Sequence, residues 1–357
     1  MRILIATDAW HPQVNGVVRT YERLTEQLGA LGLEVSVLAP HEFRTLPCPT
    51  YPEIRLAVPG FRRVAQHFEA FRPEAVHIAT EGPIGWMARR YCRARRLPFT
   101  TSFHTRFPEY LAQRFALPAA WTTAVLRRFH NAGSGMMVAT PSLARELEAQ
   151  GFERVLPWTR GVDTELFRPR HVRLFGEAPV FLYVGRIAAE KNITAFLDLD
   201  LPGRKVVVGG GPQLDELKAR YQDVLFAGKR TGEDLAQCYA SADALVFPSR
   251  TDTFGMVLLE AAASGLPVGA FPVTGPVDVV VQGETGVLSD NLQQAALGAL
   301  SLDRVRVRAR ATEFSWENAA RLFLANITQA CLKEPARGKV LRTLSLAQKF
   351  SQTPRRT

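Results

Sequence analysis

Asp252 and Glu260 are two carboxylates eight positions apart, on either side of the Phe254-Gly255 pair. The apolar run Asp243–Phe247 before them reads as a buried strand. Residues 256–264, after the Phe-Gly pair, read as a helix closed by Gly265 and Pro267. One acid therefore sits in a strand-to-helix loop and the other one turn inside the helix. Between them the helix start offers unpaired backbone N–H groups and partial positive charge, which suits a diphosphate. Two acids able to grip sugar and ribose hydroxyls, with an anion hole between them, describe a sugar-nucleotide site.

A second constellation is Gly185-Arg186-Ile187-Ala188-Ala189-Glu190-Lys191. A strand ends at Gly185, so Arg186 and Lys191 lie in the loop at its carboxyl end. Two cations there can neutralise charge building on a leaving diphosphate, Arg186 through paired N–H groups and Lys191 as a point charge. A solvated basic loop is the plainer reading. Gly209-Gly210-Gly211-Pro212 lets a nucleotide approach closely or only turns the chain. It lacks the dinucleotide fingerprint with its downstream acid, which argues against NAD. Gly16 lies in the turn between the first strand and a helix, where it lets backbone approach a ligand closely or only turns the chain. His104 stands at the carboxyl end of a strand in the first half, facing the cleft; a lone histidine there is more often structural than catalytic. Asp198-Leu199-Asp200 has metal-site spacing but falls at the wrong end of its strand and reads as solvated loop, so no metal is expected.

The elements that must position these groups alternate between strand and helix. Strands are expected over 3–7, 34–39, 75–79, 99–102 and 135–139, then over 180–184, 205–208, 224–226, 244–247 and 267–270. Residues 157–169, bounded by Pro157 and Pro169, have no helical period and read as the linker. The expected fold class is α/β, two doubly wound halves meeting near residue 170, with ligands in the cleft at the strands' carboxyl ends. The division is 1–169 for the first half and 170–314 for the second. A helix over 315–333 follows, with Ser315 as N-cap, and then a basic tail over 334–357 that is either disordered or an interfacial helix.

With 357 residues, 46% hydrophobic and 22% charged, the chain is an ordinary globular protein of about two domains. No apolar run approaches the roughly 18 residues of a membrane span. The first apolar stretch is too short for a signal peptide and reads as a strand. Cys48, Cys92, Cys238 and Cys331 show no paired spacing, which fits reduced thiols in the cytosol. The net charge of +10 fits an anionic membrane surface or solvated basic faces. No motif for nucleic acid accompanies it, so no such partner is expected.

Together, Val184-Gly185-Arg186 with Glu190-Lys191-Asn192, and Pro248-Ser249 with Phe254-Gly255, Leu259-Glu260-Ala261 and Ser264-Gly265-Leu266-Pro267-Val268, resemble glycosyltransferase family 4. These are retaining enzymes of the GT-B fold, two facing Rossmann-like domains with a cleft between them. The likeness runs from Met1 to about Leu332. Arg160-Gly161-Val162-Asp163 and the run 226–232 look most like GDP-mannose-dependent α-mannosyltransferases and sugar-lipid synthases. The resemblance implies that Arg186 and Lys191 hold the diphosphate and Glu260 the ribose. Asp252, with Phe254 and the backbone of Gly255, Met256, Val257 and Leu258, would hold sugar and phosphates. Gly16 and His104 would come from the acceptor-side half, His104 reaching the transferred sugar, and the last helix would cross back to the first half. Two departures stand out: Asp252 where the family usually has Glu, and Gly210 where it often has Asp.

The leading expectation is a metal-independent hexosyltransferase, mannose favoured, acting from a GDP- or UDP-sugar without a further cofactor on a membrane lipid or glycolipid. It would be cytoplasmic and peripheral on the inner face of the membrane, seated through Arg62-Arg63, the Arg89–Arg96 cluster and the tail. That cluster reads equally as the polar face of a packed helix. Alternatives are a UDP-sugar-dependent glucosyl-, glucuronosyl- or sulfoquinovosyl-diacylglycerol synthase, a transferase for an envelope polysaccharide, and a silent sugar-nucleotide-binding module.

Overall fold

The computed structural model describes residues 1–13, 15–48, 51–104, 118–177 and 179–333. Val14, Thr105 and the basic tail, about which expectations were drawn, lie outside the described residues. Two six-stranded parallel sheets carry the chain. The first has the order β2-β1-β5-β6-β7-β8, with β1 Arg2–Ala6, β2 Glu34–Leu38, β5 Ala75–Ile78, β6 Thr100–Phe103, β7 Gly135–Val138 and β8 Val155–Pro157. A two-stranded antiparallel ribbon, β3 Thr45–Cys48 with β4 Tyr51–Ala57, stands beside it. The second sheet has the order β11-β10-β9-β12-β13-β14, with β9 Val180–Val184, β10 Arg204–Val208, β11 Leu225–Gly228, β12 Ala244–Phe247, β13 Val268–Ala270 and β14 Gly286–Leu288.

In both sheets the strand order reverses beside the first strand, between β1 and β5 and between β9 and β12. A crevice opens at the carboxyl ends at such a point, and the loops after β1, β9 and β12 feed it. The central strands are buried on both faces, which is why they read as unbroken apolar runs.

The sequence locates ten of these strands to within one or two residues, but β3, β4, β8 and β14 were not expected. Pro47 and Pro52 argue against ordinary strands, yet both fit a two-stranded ribbon that is all edge. β8 and β14 are three residues each, too short to show a period. Pro157, expected to open the linker, is the last residue of β8.

The helix Trp316–Lys333 packs against the helix Gly16–Ala30 and the first sheet. Phe323 lies 5.0 Å, ring to ring, from the fully buried Trp158. Trp158 Nε1 donates to the Ala319 carbonyl at 3.1 Å, and Asn326 Nδ2 donates to the Pro157 carbonyl at 2.8 Å. Gly161 permits this approach: a Cβ there would lie 2.4 Å from the Trp316 nitrogen.

Candidate functional site

The loops after β9, β10 and β12 are tied together at the mouth of the second sheet. Ile187 N donates to the Gly210 carbonyl at 3.0 Å, and Thr251 Oγ1 to the Glu190 carbonyl at 3.1 Å. Asn192 Nδ2 donates to the Pro248 carbonyl at 3.0 Å. A Cβ on Gly209 would sit 1.8 Å from the Gly185 carbonyl oxygen, so the glycine run first serves strand-to-strand approach. At Gly210 there is nothing within 4 Å of a built Cβ, so the position has room for a side chain.

This bracing brings Lys191 to Asp252: Nζ lies 2.5 Å from Oδ1, across 61 residues of sequence. The other oxygen, Asp252 Oδ2, is buried without a hydrogen-bond partner. An unpaired buried carboxylate oxygen is costly and invites a donor such as a sugar hydroxyl. Arg186 follows Gly185 in the same mouth, and its carbonyl accepts a bond from Tyr183 Oη at 2.6 Å. Gly255 takes φ +83°, in the left-handed region, and turns the chain into the helix Met256–Ala263. No side chain caps that helix; Leu258 N, expected to face the donor, instead closes on the Gly255 carbonyl at 2.9 Å, so the N–H groups of Met256 and Val257 are the ones that a ligand could take. Phe254 and Leu258 are buried beneath, while Met256 and Val257 are half-buried at the surface of the cleft.

Glu260 is 4% exposed, and burial pushes its carboxyl above the usual range. Tyr239 Oη donates to Oε2 at 2.7 Å. Arg19 Nη1 reaches Oε1 at 3.2 Å from the helix that Gly16 opens. The two halves therefore meet at this acid. A Cβ on Gly16 would come within 3.8 Å of Met256 Cγ, and Thr253 Oγ1 donates to the His104 carbonyl at 2.7 Å. Ser142 N donates to Asp278 Oδ1 at 3.0 Å, another bond between the halves.

His104 is placed at the end of β6, and both its ring nitrogens are occupied. Nδ1 lies 3.0 Å from Arg160 Nη2 and Nε2 lies 2.8 Å from Tyr21 Oη. Tyr21 Oη is also 2.9 Å from His77 Nε2. The ring holds its place by internal bonds, and a sugar hydroxyl reaching its nitrogens would have to share them. Burial, then the Arg160 charge, hold the His104 pKa well below the ordinary histidine value.

The structure thus gathers Lys191, Asp252, Glu260, Gly255 and the start of the Met256 helix at one mouth, with Gly16 and His104 facing them. Sequence reasoning missed Arg19, Tyr239 and Tyr21, and gave Arg160 no role of its own. Arg19 stands one turn after Gly16, a spacing that aims it at whatever Gly16 faces; Tyr239 carries no such signal. Of the basic cluster, Arg89 is 7% exposed and donates to the Phe129 and Arg128 carbonyls, so it is an internal strut. Arg90, Arg93, Arg95 and Arg96 are exposed. Asp198 accepts a bond from Tyr221 Oη at 2.5 Å at the surface.

A family model described as Glycosyltransferase Family 4 matches residues 14–166, and one described as Glycosyl transferases group 1 matches residues 178–302. A GDP-mannose-dependent alpha-mannosyltransferase of Mycobacterium tuberculosis (strain CDC 1551 / Oshkosh) is 31% identical over 320 residues, covering 81% of this chain and 83% of that protein. The sulfoquinovosyl transferase SQD2 of Arabidopsis thaliana is 29% identical over 311 residues, covering 77% of this chain and 61% of that protein. Among solved structures, a sucrose-phosphate synthase from Thermosynechococcus elongatus superposes with a TM-score of 0.75 at 21% identity, over 93% of this chain and 100% of that one. The chain belongs to glycosyltransferase family 4 and is an enzyme of that family with the GT-B fold.

Proposed function

We propose that the chain transfers a hexose, mannose in first place, from a nucleoside-diphosphate sugar to a membrane lipid or glycolipid, with retention at the anomeric carbon and without a metal. The observation that carries the donor half is the mouth of the second sheet: an uncapped helix start, Lys191 beside Asp252, and the orphaned Asp252 Oδ2. Diphosphate at the helix start with Arg186 and Lys191, sugar at Asp252 and ribose at Glu260 satisfy each group with a complementary partner. As the bond from sugar to diphosphate breaks, charge builds on the phosphate oxygens, where fixed cations count most. Acceptor hydroxyls would enter from the side of Gly16 and His104. The similarity to a GDP-mannose-dependent enzyme favours mannose and GDP; the similarity to a sulfoquinovosyl transferase supports a UDP-sugar lipid synthase as the second reading.

The lipid half rests on the first sheet's side. Leu46 and Val58 are 62% and 58% exposed, and Val58 is followed by exposed Arg62 and Arg63. Exposed apolar side chains and cations on this side of the chain suit an anionic bilayer surface, at about 1 kcal/mol per basic residue near it, although Arg63 also lies 3.8 Å from Glu42. Among the described residues no helix is long and apolar enough to cross a membrane. Co-sedimentation with vesicles of phosphatidylglycerol and phosphatidylcholine tests this. Binding at low salt that Leu46→Ser with Arg62→Ser and Arg63→Ser weakens supports a lipid surface. No binding to anionic vesicles overturns it and leaves a soluble glycan acceptor.

A further inference from the structure

Arg160 is 4% exposed, and its guanidinium lies 4.2 Å over the Trp158 ring. Nη1 donates to the Trp158 carbonyl at 2.8 Å and, more weakly, to the Thr159 carbonyl at 3.4 Å. Nη2 meets His104 Nδ1 at 3.0 Å. Among the described residues no carboxylate pairs with it. Burial draws its pKa down to about 10, which leaves it charged at neutral pH.

A guanidinium has N–H donors and no acceptor. Nη2 is therefore the donor in the contact with His104, and Nδ1 must carry a bare lone pair. An imidazolium has no bare nitrogen, so the ring is neutral and its single proton is on Nε2. That N–H points at Tyr21 Oη, 2.8 Å away. Tyr21 Oη lies 2.9 Å from His77 Nε2, which is also 3.0 Å from Ser102 Oγ, and His77 Nδ1 lies 2.8 Å from Thr100 Oγ1. One obligate donor at the head of the row thus sets the direction of the bond from His104 to Tyr21. We propose that Arg160 is a positioning residue that fixes His104 as the Nε2–H tautomer, so that this imidazole donates a hydrogen bond and never accepts the proton of the attacking hydroxyl.

The tautomer is independent of the donor's identity; its bearing on transfer rests on the proposed function. The new bond forms between the acceptor oxygen and the anomeric carbon as the bond from that carbon to the diphosphate oxygen breaks. The hydroxyl proton then goes to the departing diphosphate, because the only imidazole lone pair is held by Arg160. The groups facing the ring agree in keeping it uncharged. Burial and the Arg160 charge oppose an imidazolium, Tyr21 presents a neutral hydroxyl whose own pKa burial raises, and the nearby Glu81 is bonded to His130 at 3.1 Å rather than to this ring.

The test is two-bond nitrogen–proton NMR on the full chain with nitrogen-15 in its seven histidines, from about pH 5 to 8. His104→Gln assigns the signal. The expected result is one ring with protonated Nε2 and bare Nδ1, unchanged across the range. Arg160→Met removes donor and charge: the ring should then mix tautomers or titrate, and kcat should acquire a pH limb with donor KM little changed. Arg160→Lys, which restores a charged donor, should return both towards the wild type. A wild-type ring protonated on Nδ1, or on both nitrogens near neutral pH, overturns the inference. So does an Arg160→Met ring identical to the wild type. If Arg160→Met fails to fold, the wild-type and Arg160→Lys spectra still decide. A chain that binds no nucleotide sugar overturns the proposed donor and leaves this spectrum as it is.

Discussion

Arg19 Nη1 lies 3.2 Å from Glu260 Oε1, an ion pair that joins the first half of the chain to the second across 241 residues. The Arg19 side chain is 37% exposed and that of Glu260 is buried, so the acid is fixed and the arginine arrives from solvent. A carboxylate accepts up to about four hydrogen bonds, so Glu260 has capacity beyond Tyr239 and Arg19. Ribose hydroxyls can join without displacing either partner. If Glu260 holds the ribose as proposed, donor binding and the contact between the halves would be coupled through one side chain.

Removing Arg19 should loosen that coupling. Arg19→Ala leaves Glu260 buried with only Tyr239, at a cost on the order of 1–2 kcal/mol, limited because Arg19 is partly solvated. Thermal unfolding should fall by a few degrees, and donor KM should rise more than kcat falls. An unchanged KM would show that closure does not pass through this pair.

Donor affinity should depend on pH through Glu260. Burial raises its folded carboxyl pKa above the unfolded value, so the folded state binds the proton more tightly. The sign follows: this group favours the folded state most at low pH, and that contribution is lost as pH rises through the folded pKa. Nucleotide binding runs the other way, because the ionised acid is the better acceptor for ribose hydroxyls. Affinity should weaken as pH falls through a point above the usual carboxylate range. Glu260→Gln should bind weakly throughout and lose that pH step, which separates it from protonation of the phosphate itself. Calorimetric titration with GDP and UDP at several pH values measures both.

Lys191→Ala should lower kcat by about 10²–10³, the usual cost of one charge-stabilising group. The fold should survive, but not untouched. Lys191 pairs with Asp252 at 2.5 Å while both are mostly covered, so its loss leaves the acid without a described partner for either oxygen. Lys191→Ala with Asp252→Asn should regain the lost stability and none of the activity. Recovery of activity in the double variant would contradict the leaving-group role.

The glycine run should divide sharply. Gly209→Ala drives a Cβ to within 1.8 Å of the Gly185 carbonyl and should cost about 3 kcal/mol or more. Gly210→Asp meets open space and should shift melting by about a degree at most. An acid at that position is therefore compatible with this backbone. A destabilised Gly210→Asp chain would show that the loop is tighter than it stands here.

The strands that shape the mouth were legible because each is a short apolar run cut by Gly, Pro or Asp, as at Val180–Gly185 and Ala244–Pro248. Asp252, Glu260, Lys191 and Arg186 were legible because they sit at fixed offsets from those ends. Arg19, Tyr239 and the row from Arg160 to Thr100 were not. Their partners lie far off along the chain, and a long arginine or a buried phenol leaves no period in the sequence that says what it will touch. His104 was legible as a residue near the cleft, while the direction of its proton emerges only once Arg160 is seen beside it.

The most direct measurement is thermal stabilisation of the purified chain by GDP, UDP, GDP-mannose, UDP-glucose and UDP-glucuronate, beside Lys191→Ala. A ligand at about 100 times its Kd adds roughly 2.7 kcal/mol, enough to raise melting by a few degrees. The expected result is a selective shift, largest with GDP-mannose and much reduced in Lys191→Ala. A shift confined to UDP compounds would replace mannosyl transfer by the UDP-sugar synthase. No shift with any of the five, or equal shifts in Lys191→Ala, would contradict a nucleotide-diphosphate site at the mouth of the second sheet.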